Sequence, residues 1–175
     1  KKHFSKHNFQ KLIYHIKKGN LSLINEKIGF YTNTELKKMD LNLIESNVYE
    51  KIVFEKISNP KVSIVIPVYN QFEYTYKCLK SILENTKDIE YEIIIADDVS
   101  SDETIDIINY AENIIVVRNE NNLGFLLNCN NAAKHASGKY IHFLNNDTQV
   151  QLNWLSSLVE LIESDLKIGM VGSKL

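Results

Sequence analysis

The run Val62-Ser63-Ile64-Val65-Ile66-Pro67-Val68 restricts what this chain can fold into more than any other stretch of it. Five of its seven residues are Val or Ile, side chains that are stiff at χ1 and pack well on a pleated surface. Apolar residues fall on both parities, so neither face of the strand suits water. A strand covered on both faces belongs to a parallel sheet under helices. Similar runs recur at Tyr91–Ala96, Ile114–Val117, Tyr140–Leu144 and Ile168–Val171. The stretches Phe72–Asn85, Asp102–Ala111, Gly124–Ser137 and Leu152–Ser164 between them have helical length and spacing. This alternation predicts an α/β fold, a doubly wound and mostly parallel sheet flanked by helices.

Ahead of it the pattern differs. Residues 9–57 read as helical, broken at Gly19-Asn20 and from Gly29 to Thr34, with Thr34 as the N-cap of a segment Leu36–Ile57. Ser58-Asn59-Pro60 ends the helix, because the residue before proline avoids the α region. The expected organisation is an α-helical N-terminal segment over 1–60 and an α/β domain over 61–175. Charge divides at the same place. Residues 1–60 carry 11 lysines and 6 acids, net +5, while residues 61–175 are net −7. An acidic domain is a poor partner for a phosphate backbone, so no nucleic-acid role is expected. In residues 1–20, Phe9, Leu12, Ile13 and Ile16 form an apolar stripe beside Lys11, Lys17 and Lys18. That stripe packs on a neighbouring element or, alternatively, touches an anionic membrane surface or a protein partner.

No apolar run approaches bilayer length, and two cysteines, Cys78 and Cys129, make no disulfide framework. A cytoplasmic location is expected, with peripheral contact at the inner face of the membrane as the further possibility. The chain begins at Lys1, and is expected to be part of a longer protein.

Ligands of open parallel sheets bind outside the carboxyl ends of the strands. Those ends read Pro67-Val68-Tyr69-Asn70, Ala96-Asp97-Asp98-Val99-Ser100, Arg118-Asn119-Glu120-Asn121-Asn122 and Asn145-Asn146-Asp147-Thr148. The chemistry on offer is oxygen-rich and sulfur-free. Asp147 beside Asn145 and Asn146 suits a hard cation, Mg²⁺ or Mn²⁺, whose shell is completed by phosphates and water. Asp97-Asp98 offers acceptors to a base or ribose, while Ser101 or Asp102 sits where a helix cap belongs. No GxxxxGK[ST], GxGxxG or GxSxG is present, which argues against P-loop, dehydrogenase and serine-hydrolase chemistry. His135, His142 and Cys129 read as structural residues.

Four ordered motifs together carry a resemblance: Val62–Asn70, Ile95–Asp102, Asn122-Leu123-Gly124-Phe125 with Asn130, and Gly138–Thr148. They resemble the family 2 glycosyltransferases, inverting enzymes of GT-A fold, over residues 61–175. The resemblance implies a nucleotide pocket built from Pro67, Val68, Tyr69, Asn70, Asp97, Asp98, Asn122, Gly124, Asn130, Asn145 and Asn146. In it Asp98 would take the imide N–H of uracil or thymine. Asp147 matches the last acid of the family's DXD motif, which holds the divalent cation on the donor's diphosphate. Asn145 departs from that motif and leaves one carboxylate where two are usual. The implied activity is sugar transfer, with inversion, from a UDP- or dTDP-linked donor to a saccharide or lipid-linked acceptor in cell-surface polysaccharide synthesis. A non-catalytic nucleotide-sugar-binding or scaffold domain is the alternative. The resemblance places the catalytic base beyond Leu175, in a segment that this chain lacks.

Overall fold

The computed structural model describes residues 49–173, all within one compact unit of the chain, Asn42–Leu175. The expected helices before residue 49, the Thr34 cap and the lysine-rich stripe of residues 1–20 lie outside the described residues. In chain order come β1 (Ile52–Val53), β2 (Val62–Val68), α1 (Phe72–Asn85) and β3 (Tyr91–Asp97). A 3-10 turn at Glu103–Asp106 runs into a single α turn, α2 (Ile107–Tyr110). Then follow β4 (Ala111–Glu112), β5 (Ile115–Arg118), α3 (Gly124–Ala133), β6 (Tyr140–Phe143) and α4 (Trp154–Glu163).

Four strands form one sheet in the order β5-β3-β2-β6, and every pairing is parallel. The central pair is in register from Val62 opposite Tyr91 to Val68 opposite Asp97. The chain winds outward from β2 through β3 to β5 and then returns to lay β6 on the other side of β2. Strand order therefore reverses between β2 and β6, and a crevice opens at the carboxyl ends there.

Both faces of the central strands are covered, as their composition requires. Ile64 and Ile66 of β2, with Ile93 and Ile95 of β3, pack against Tyr76, Leu79 and Ile82 of α1 and Leu155 and Val159 of α4. On the opposite face Val65, Ile94, Ala96 and Val117 meet Ala132 of α3. Burying side chains of this size is worth roughly 1.5–3 kcal/mol each. Among the described residues no helix is long and apolar enough to cross a membrane.

Three expectations change. The helix expected through Ile57 is not helical at its described end. Ile52–Val53 is a strand parallel to Ala111–Glu112, and Ile52 and Phe54 are buried between exposed neighbours. Burial there alternates although Ile52, Val53 and Phe54 are all apolar, and an edge pairing satisfies the backbone. The helix expected over Asp102–Ala111 is shortened for the same reason, since Ala111 is recruited as the partner of Ile52. No strand forms at Ile168–Val171. Ile168 closes a turn onto the Asp165 carbonyl, and Met170 stands 88% exposed, with no strand beside it among the described residues. An apolar run without a ladder partner gains nothing by extending.

Candidate nucleotide site

A cavity of about 360 Å³ lies at the reversal point. The end of β2 supplies Pro67, Val68 and Tyr69, the residue after β3 supplies Asp98, and the turn after β6 supplies Asn146. Asn122, Gly124, Phe125 and Asn128 close it from the start of α3. Seven of the expected residues are thus brought together. Phe125 and Asn128 are additional. Gly124 opens the helix at φ 72°, in the left-handed region that glycine enters without strain.

Asp98 organises this wall. It is 4% exposed, and its Oδ1 accepts from the backbone N–H of Leu123 at 2.8 Å and from Asn119 Nδ2 at 2.9 Å. Its Oδ2 accepts from the N–H of Gly124 at 2.8 Å. The carboxylate therefore caps α3, a helix that begins 26 residues later in the chain, across the sheet. Burial works to raise the Asp98 pKa. The bonds from Leu123, Asn119 and Gly124 outweigh it and hold the acid below its ordinary value, so it stays ionised at neutral pH.

The other expected residues sit around the cavity rather than along it. Asp97, 2% exposed, is paired with Arg118 and also accepts from the N–H of Ser100 at 2.8 Å. Asn70, at φ 57°, accepts at Oδ1 from the N–H of Ser101 at 2.7 Å, while its own N–H donates to Ser100 Oγ at 2.7 Å. These bonds tie the loop after β2 to the loop after β3. Asp102 caps the 3-10 turn through Thr104 N–H at 3.1 Å and accepts from Phe72 N–H at 2.9 Å, so the capping expectation holds. Asn130 is exposed on α3.

Asn145 and Asp147 are exposed beside the cavity wall, and Asn146 is held by donating Nδ2 to Thr75 Oγ1 at 3.0 Å. No group of three or more His, Cys, Asp or Glu could hold a metal among the described residues. One exposed carboxylate with neighbouring amide oxygens does fit a hard ion that keeps water and takes most of its ligands from a diphosphate.

Asn128 and Asn131 are outside the expected site residues, and Asn119 enters them only through the strand-end run Arg118–Asn122, although a signal exists. Asn128 and Asn131 lie inside a helix, where asparagine is a poor former unless its amide is engaged. Here each one is: Asn119 donates to Asn128 Oδ1 at 2.8 Å, Asn131 donates to Asn119 Oδ1 at 2.9 Å, and Asn128 donates to the Ala96 carbonyl at 2.7 Å. His142 is half-buried edge-on to Trp154 at 5.0 Å, a structural place for it.

Sheet order and cavity position define a doubly wound α/β domain whose ligand crevice sits at the switch point. The family model for Glycosyl transferase family 2 matches residues 63–174, and the chain belongs to that family, with a GT-A fold. It is 39% identical over 119 residues to a poly(ribitol-phosphate) beta-glucosyltransferase of Bacillus spizizenii, covering 62% of this chain and 19% of that protein. It is 38% identical over 107 residues to the Escherichia coli UDP-Glc:alpha-D-GlcNAc-diphosphoundecaprenol beta-1,3-glucosyltransferase WfaP, covering 59% and 42%. Among solved structures, S. aureus TarS residues 1–349 superpose with TM-score 0.54 at 25% identity, over 66% of this chain and 38% of that one. TarS in complex with UDP gives TM-score 0.52 at 28% identity, over 59% and 32%. The chain thus spans well under half the length of these relatives.

Proposed function

We propose that this chain forms the donor-binding part of a glycosyltransferase that moves a sugar, with inversion, from a UDP- or dTDP-linked donor to a saccharide or lipid-linked acceptor in cell-surface polysaccharide synthesis. The observation that carries the reading is the cavity at the β2/β6 reversal, with an ionised Asp98 in its wall and Asp147 exposed beside it. Relatives named for glucosyl transfer to poly(ribitol-phosphate) and from UDP-Glc, and a UDP-bound structural neighbour, support it.

Each residue then has a task. Asp98 accepts the imide N–H of the base on the Oδ2 lone pair that Leu123, Asn119 and Gly124 leave open. Pro67, Val68 and Tyr69 flank the base, and Gly124 lets the backbone pass close under the donor without a Cβ. Asp147, with the amide oxygens of Asn145 and Asn146, would hold Mn²⁺ or Mg²⁺ where a donor's diphosphate enters the site. A cation bound there supplies Lewis-acid neutralisation of the leaving diphosphate. The lysine-rich sequence of residues 1–20 supports a place at the cytoplasmic face of the membrane.

The test is a thermal-shift and calorimetric panel of UDP, dTDP and GDP, each with and without Mn²⁺. UDP or dTDP should raise the melting temperature, with a larger rise when Mn²⁺ is present, and GDP should not. Absence of any nucleotide effect at millimolar concentration would overturn the reading.

A further inference from the structure

Beneath the cavity, four side chains form one hydrogen-bonded chain whose direction is determined. Asn119, 7% exposed, gives one Nδ2 hydrogen to Asp98 at 2.9 Å and the other to Asn128 Oδ1 at 2.8 Å. An ionised carboxylate and a backbone carbonyl can only accept. Asn119 must therefore turn its amino group to Asp98, and its Oδ1 then receives Asn131 Nδ2 at 2.9 Å. Asn128, 2% exposed, must turn its oxygen to Asn119 and its nitrogen to the Ala96 carbonyl at 2.7 Å. Flipping either amide would set donor against donor or acceptor against acceptor. Asn128 uses one of its two N–H groups on Ala96 and keeps the other, on a side chain that lines the cavity.

We propose that Asn128, oriented by Asn119, determines base selectivity by placing an N–H donor beside the Asp98 acceptor. The inference rests on the donor-binding reading of this cavity. Uracil and thymine present an N–H flanked by carbonyl oxygens, so an acceptor beside a donor complements their edge. Cytosine in the same register sets its N3 lone pair against Asp98 and its amino group against the Asn128 N–H. Sites built to hydrogen-bond an edge reject the mismatched edge because buried polar groups are left unpaired.

The experiment measures Kd for UDP and CDP by calorimetry on the unmutated chain and on Asn128→Ala, Asn128→Ser and Asn119→Ala. The unmutated chain should prefer UDP by roughly tenfold or more, the size of one hydrogen bond. That ratio should fall in Asn128→Ala to the part that Asp98 alone supplies, and fall less in Asn119→Ala, where the Ala96 carbonyl still orients the Asn128 amide. Asn128→Ser keeps a short donor and should retain part of the preference. It also serves if the alanine variant fails to fold. A merely structural role would weaken both nucleotides alike and leave the ratio unmoved. UDP binding with an unmoved ratio, or no UDP preference in the unmutated chain, overturns the inference alone. No UDP binding at all overturns the donor-site reading and the inference with it.

Discussion

Replacing Asp98 by alanine should destabilise the fold as well as weaken nucleotide binding. Three hydrogen bonds end on this carboxylate, from Leu123, Gly124 and Asn119. Leu123 and Gly124 are exposed, so water can replace the oxygen lost to their N–H groups. For those two the loss is that of a helix cap, about 1 kcal/mol together. Asn119 is different, because it is 7% exposed and its amino group would be left facing a cavity. An orphaned buried donor costs about 1–3 kcal/mol. The expected total is about 2–4 kcal/mol, or a fall in melting temperature of roughly 10 °C for a domain of this size. Asp98→Asn keeps the volume and one acceptor but turns an amino group toward a backbone N–H, so a substantial part of the loss should persist.

Acid titration gives a second reading of the same carboxylate. Its folded pKa lies below the ordinary 3.8, so its stabilisation is fully present above that pH and disappears as pH falls through the lower folded value. The gap in melting temperature between the unmutated chain and Asp98→Ala should stay constant from neutrality to about pH 5 and narrow only below about pH 4. Circular dichroism melts at pH 7, 5, 4 and 3 measure both effects. A fall of less than about 2 °C at pH 7 would refute the capping account, as would a gap that closes near neutrality.

Asp147→Ala should abolish any Mn²⁺-dependent gain in UDP affinity while leaving the melting temperature unchanged, because the side chain is exposed; an unchanged gain in titration would assign the ion elsewhere. Gly138→Ala should destabilise by about 1–3 kcal/mol, since an added Cβ would stand 2.6 Å from the Ser63 backbone nitrogen; a urea midpoint like that of the unmutated chain would refute this. Phe54→Ala should cost about 3–5 kcal/mol if the stretch after residue 49 belongs to the domain core, and urea denaturation measures it directly. Cys78 has its pKa pushed up to about 12 by burial and, secondarily, by Asp147, so alkylation at pH 8 should be slow until urea opens the domain; rapid labelling of the native chain would contradict its placement.

What sequence conveyed well was whatever depends on long uniform stretches. Val62–Val68 and Tyr91–Asp97 are apolar on both parities, and they became the buried central pair. Their carboxyl ends could then be assigned to one crevice by topology alone, which is why seven of the expected residues line the cavity. Short elements were lost for the converse reason. Two residues of strand at Ile52–Val53 carry no period of their own, and the helical spacing around them outweighed a pairing that depends on Ala111 and Glu112, far along the chain. The apolar run at Ile168–Val171 looked like a strand, but composition cannot supply the neighbour a strand needs.

The harder case is Asp98. By spacing alone Asp98 lies too far before the turn at Glu103–Asp106 to cap it, and Asp102 caps that turn instead. What sequence spacing could not express is that β3 carries Asp98 to the start of a different helix, α3. A carboxylate acquires partners from whatever the sheet order places beside it, and the order β5-β3-β2-β6 sets the loop after β5 there. The asparagines follow from this. An ionised acid at the floor of a cavity requires donors, Asn119 supplies one, and its remaining hydrogen and oxygen demand an acceptor and a donor in turn, which Asn128 and Asn131 provide. Residues that weaken α3 as an isolated helix, Asn128 and Asn131, are thereby the ones that tie its middle to the strand ends. Where local propensity and tertiary placement disagree, the disagreement marks the wall of the site.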